Sequence, residues 1–141
     1  DPEHNLVAGQ AETIIPVIND LAAVFRRAGG VVIYASDSFL AEDFIFGGRM
    51  APHAIRGTAG AEVTDRLIQK AGDIILPKRR FSAFFKTDLD QTLRTLRVDT
   101  VAVCGITSLF CVLATAFDSL CHDFKTIIVE DASCAHKVEV H

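Results

Sequence analysis

Cys111 is the residue in this chain best placed to do covalent chemistry. The stretch Gly105-Ile106-Thr107-Ser108-Leu109-Phe110-Cys111-Val112 reads as a strand that turns sharply into a helix. The β-branched run Thr100 to Val103 precedes the turn, and Leu113, Ala114, Ala116, Phe117 and Leu120 follow it at helical spacing. The sulfur is then expected in the first helical turn, where unpaired N–H groups and the positive end of the helix dipole favour thiolate over thiol. Taken alone, a cysteine at an apolar helix start is more often a core residue. Cys104, Cys121 and Cys134 suit that plainer role, as small buried hydrophobes.

The elements that must position Cys111 follow from hydrophobic periodicity. Ala11 to Arg27 carries apolar residues at helical spacing and is closed by Gly29-Gly30, with Pro16 tolerable near its start. Val31 to Ala35 reads as a strand, and the long segment from Ser36 to Gly60 as a loop, a length that usually has a function. Ala61 to Lys70 then reads as a short helix, Asp73 to Leu76 as a strand and Asp88 to Arg97 as a helix. Thr100 to Cys104 reads as a strand, Ser108 to His122 as a helix and Thr126 to Glu130 as a strand. This alternation predicts an α/β fold with a parallel, doubly wound sheet and a ligand site outside the carboxyl ends of the strands. That rule selects Asp37, Lys78, the 105–111 turn and Asp131 as candidate functional positions.

Composition narrows the function. A chain of 141 residues, half of them hydrophobic, makes one domain with a sheet buried between helices. No apolar run approaches the ~18 residues that a membrane span needs. With a formal net charge of −4, and basic residues scattered apart from Arg26-Arg27 and Lys78-Arg79-Arg80, there is no electrostatic footprint for nucleic acid. A small-molecule substrate is the expected partner. The four cysteines show neither Cys-x-x-Cys spacing nor the pattern of a disulfide scaffold, and no secretory leader is legible, so a reducing, cytoplasmic setting is expected. Walker A, dinucleotide and zinc-finger motifs are missing.

The run Lys78-Arg79-Arg80-Phe81-Ser82-Ala83-Phe84-Phe85 is followed by Thr87, Leu89 and Leu93, then by Gly105-Ile106-Thr107, Cys111-Val112, Thr115-Ala116 and Asp118. Together with His53-Ala54-Ile55-Arg56-Gly57-Thr58 and Gly60-Ala61-Glu62-Val63, this set resembles the isochorismatase-like cysteine hydrolases, in their amidohydrolase branch. The resemblance covers nearly the whole chain. It implies a three-layer α-β-α domain spanning 1–141 and a catalytic set of Asp, Lys and Cys, carried here by Asp1, Lys78 and Cys111. Glu3 and Leu6 stand where the family has Gln and Phe after the aspartate. The resemblance further implies an oxyanion hole from the backbone N–H groups of Thr107 and Cys111, and a cis peptide between Ile106 and Thr107. It implies that the first strand, and elements after His141, are lacking from this chain, so that it is a fragment at both ends. Homo-oligomerisation is implied too, with the Phe-rich segment 39–50 a candidate surface.

The chemistry implied is cleavage of a C–N bond in a small amide, ureido or carbamoyl compound through a thioester. Asp1 would take the thiol proton and return it to the departing amine, and Lys78 would hold Asp1 charged and balance the thiolate. No cofactor is implied. Relatives that hydrolyse nicotinamide bind a metal through an Asp-x-His pair and a later His. Here Asp37-Ser38-Phe39 loses that first histidine, and Asp37 with His53 makes two ligands where a catalytic zinc needs three. Phe39, Phe84 and Phe110 are the candidate walls of an apolar substrate pocket. Arg49 and Arg56 could meet a substrate carboxylate, and surface roles suit them equally. The alternative function is a non-catalytic oligomerisation or binding module of the same fold.

Overall fold

The computed structural model describes the backbone of residues 2–135 and the side chains of residues 9–135. Helix α1 runs over Pro2–Arg27. Ile14 and Ala22 on its inner face are buried, and its end is set by glycine. Gly29, at φ +81°, donates to the Arg26 carbonyl at 3.0 Å and Gly30 donates to the Phe25 carbonyl at 2.8 Å, the paired closure of a Schellman cap. α1 begins nine residues earlier than the periodicity suggests. Pro2 at the first helical position suits the fixed proline φ, and Gly9 is the weakest helix former between it and Ala11. Pro16 consequently lies in the helix interior, where it forfeits one backbone hydrogen bond. The half of α1 beyond Pro16 is tied down from outside: the Asn19 side chain bonds Arg66 O and Ile68 N, and Arg26 pairs with Asp73 and donates to Ile68 O.

Strands β1 (Ile33–Asp37) and β2 (Ile74–Lys78) pair in parallel, in a register that sets Ile33 beside Ile74 and Asp37 beside Lys78. Helix α2 (Leu89–Thr95) leads to β3 (Thr100–Ile106), then α3 (Leu113–Cys121), then β4 (Lys125–Cys134), which pairs in parallel with β3. The register slips between Val103 and Gly105, where Gly105 takes φ +119°, a conformation that glycine alone adopts without strain. The fold is thus α/β with parallel strands between helical layers. Leu76, Ala83, Phe84, Leu89, Leu93 and Phe124 form one buried cluster, and Val103, Val112 and Ala116 a second, with Val101 packed against both. Each large apolar side chain in them contributes about 1.5–3 kcal/mol through removal from water.

Three expectations change. Residues 61–70 form no helix: a single tight turn at Ala59–Ala61 is followed by irregular chain. Its backbone groups bond elsewhere, Ile68 N–H to the Asn19 side chain and Lys70 N–H to Asp73, so the i to i−4 ladder never forms. β4 runs on to Cys134, which places Asp131 inside a strand and exposed, away from any strand end. The sheet expected from the alternation is, among the described residues, two parallel pairs, β1 with β2 and β3 with β4. Between the pairs runs a seam: one cavity of about 650 Å³ is lined by residues of β1 and β3, with Ile14, Ile18 and Ala22 of α1 and Leu89 and Leu93 of α2.

Candidate active site

The site lies at the carboxyl ends of the strands, where the cavity is also lined by Asp37, His53, Ala54, Lys78, Ile106 and Cys111. The β1–β2 register makes Asp37 and Lys78 neighbours, and Ser38 N–H extends the ladder by bonding Lys78 O at 2.8 Å. Lys78 is 4% exposed. Its ammonium has three N–H groups and meets three acceptors: Asp37 Oδ1 in a close ion pair, Arg80 O at 3.0 Å and Cys111 Sγ at 3.6 Å.

Cys111 belongs to the wide turn Ser108–Val112, in which Val112 N–H reaches back five residues to Thr107 O at 3.2 Å. The peptide joining Ile106 to Thr107 is cis. This turn brings the Thr107 backbone amide to the sulfur as a donor. The net electrostatics differ from the helix-dipole expectation. Burial pushes the Cys111 thiol up from its ordinary value, and the Asp37 charge adds to that; the Lys78 charge and its hydrogen bond, with the Thr107 amide, pull the other way without overcoming it. A sulfur here needs a base to become a thiolate. Cys104 and Cys134 are also pushed up by burial alone, which fits their structural roles.

The long 38–60 segment is stapled over this end of the sheet. Phe39 exchanges backbone hydrogen bonds with Ala54 (3.0 Å) and Arg56 (2.8 Å), and Arg56 Nε donates to Ser38 Oγ at 3.1 Å. Asp43 is buried, accepts from Leu40 N–H at 2.8 Å and pairs with Arg79 and, at 3.4 Å, Arg80. Arg79 holds the Asp43 carboxyl far below the usual carboxylate range. On the other side, Ala83 N–H donates to the buried Thr115 hydroxyl at 3.0 Å, fixing the loop after β2 to α3.

Lys78 and Cys111 therefore come together, with Thr107 beside them, while Asp1 lies outside the described residues. Asp37, read from sequence as a strand-end candidate and a possible metal ligand, is the ion-pair partner of Lys78; only the register reveals this. The three expected pocket walls do not line the cavity. Phe39 is buried edge-on against Phe46 and His53, Phe84 stacks on His122 within the core, and Phe110 leans on Phe81 with half its surface exposed. Aromatic content could not reveal which face each ring takes. A metal does not fit these residues. Asp37 is engaged by Lys78, Phe39 fills the space beside His53, and among the described residues no three potential ligands converge.

A family model described as the isochorismatase domain matches residues 2–141. The chain belongs to the isochorismatase family. The N-carbamoylsarcosine amidase of Thermoplasma acidophilum superposes with a TM-score of 0.83 at 34% identity, over 98% of this chain and 75% of that one. The maleamate amidohydrolase of Pseudomonas putida is 32% identical over 117 residues, 79% of this chain and 55% of its own length. A probable inactive nicotinamidase of Arabidopsis thaliana is 29% identical over 140 residues, 92% of this chain and 71% of its own. Solved isochorismatase-fold structures thus share the α/β architecture found here.

Proposed function

We propose that this isochorismatase-family chain is a cysteine hydrolase acting on the C–N bond of a small amide, ureido or carbamoyl compound. The observation that carries the reading is the buried Lys78 ammonium 3.6 Å from Cys111 Sγ at the strand ends; the amidohydrolases among its relatives support it. Asp1 takes the thiol proton, and the sulfur adds to the carbonyl carbon while Thr107 and Cys111 N–H groups receive the oxyanion. Collapse breaks the C–N bond, the departing nitrogen recovers the proton from Asp1, and a thioester remains. Water then adds to the thioester, releasing the acid and the free thiol. The domain spans 1–141. Four free cysteines suit a reducing, cytoplasmic compartment. Exposed Leu40, Phe44 and Met50 offer a surface for homo-oligomers.

Against a panel of small amides and ureido acids, Cys111→Ala is expected to abolish ammonia release, and turnover retained by that variant would refute the mechanism. A second reading, a non-catalytic module of the same fold, is favoured by the Arabidopsis thaliana relative named as inactive. It gains if Cys111 alkylates no faster than the exposed Cys121 at pH 7.

A further inference from the structure

We infer that Asp37 is a positioning residue that works through Lys78, holding its ammonium against the Cys111 sulfur. A lysine 4% exposed needs an anion at hand, because an uncompensated buried ammonium costs several kcal/mol. The sulfur is a poor candidate, since the thiol is pushed up and is mostly neutral near pH 7; Arg80 O is a neutral carbonyl. Among the described residues the anion on Lys78 Nζ is Asp37. Its place is fixed by backbone pairing, because Asp37 and Lys78 are register partners at the ends of adjacent strands. Its side chain keeps 30% of its surface open to solvent, whereas Lys78 is sealed. The lysine is thus oriented by β1 and delivered to a sulfur carried on the far side of the seam.

The carboxylate has two opposed effects on the thiol. As a bare negative charge it disfavours thiolate; by fixing the ammonium it favours it. Lys78 stands in contact with both groups, so the second effect dominates.

This inference rests on Cys111 being the nucleophile, and peptide-resolved alkylation by iodoacetamide at pH 7 separates the two. In the 141-residue chain, Asp37→Asn is expected to slow Cys111 roughly tenfold, the order lost with one charge-assisted hydrogen bond. Cys121 should be unchanged, and Asp37→Glu should restore most of the rate. In a Lys78→Met background, checked for native circular dichroism, Asp37→Asn should no longer slow Cys111 and should leave its rate unchanged or somewhat faster, since coupled changes do not add and only the direct charge effect of Asp37 remains. Faster or unchanged alkylation in Asp37→Asn with Lys78 present, or equal slowing without Lys78, overturns the inference while leaving the nucleophile in place. Cys111 reacting no faster than Cys121 in the unaltered chain overturns the nucleophile, and this inference with it.

Discussion

Cys111 is held between opposing influences of similar reach. Burial withholds charge from the sulfur, and the Lys78 ammonium and the Thr107 amide return it. The sign of a perturbation is therefore readable. Lys78→Met removes a group that favours thiolate, so the profile of Cys111 alkylation against pH is expected to move to higher pH, with its plateau rate unchanged. A move to lower pH would show that the lysine does not act on the sulfur. The sequence made Cys111 and Lys78 legible because motif spacing survives without coordinates. It left Asp37 ambiguous, because an acidic residue after a strand can cap a loop, bind a metal or pair with a neighbour. Only its register against Lys78 decides among these.

At the scale of elements, every strand was legible from its β-branched run, yet every strand continues past it. β1, β2 and β3 each end two residues beyond the expected boundary, at Asp37, Lys78 and Ile106, and β4 ends four beyond. β1 and β2 close on Ser36-Asp37 and Pro77-Lys78, and β3 passes through the bulge at Gly105, so the hydrophobic pattern stops before the hydrogen bonding does. The 61–70 segment misled for the opposite reason, since its helical spacing lost to side-chain partners on α1 and at Asp73. The 38–60 segment is ordered by Asp43, and this has a pH consequence. Its folded-state pKa lies below the unfolded value, so its contribution is fully present above the ordinary carboxylate range and is lost progressively as pH falls from that range toward the depressed folded-state value. Amide protection over residues 39–46, corrected for intrinsic rates, should decline on acidification in the unaltered chain. Asp43→Asn should show reduced protection already at pH 7. Undiminished protection in that variant would mean that the backbone pairing of Phe39 with Ala54 and Arg56 suffices without the ion pair.

For the whole molecule, the seam governs. Parallel strands are stable chiefly inside larger sheets with both faces covered, and among the described residues β1 and β3 each have a partner on one side only. A lysine-flanked peptide of valine and isoleucine, long enough for one strand, should add amide protection to β1 and β3. It should raise Tm by about 2–4 °C per kcal/mol of binding. Protection confined to β4, or none, would rule the seam out as a strand acceptor. Among the described residues β1 and β3 each leave one row of backbone N–H and C=O groups along the seam without a strand partner, and such rows are templates for pairing with another chain. A strand seated in the seam meets both rows at once, so a single occupant removes two templates together.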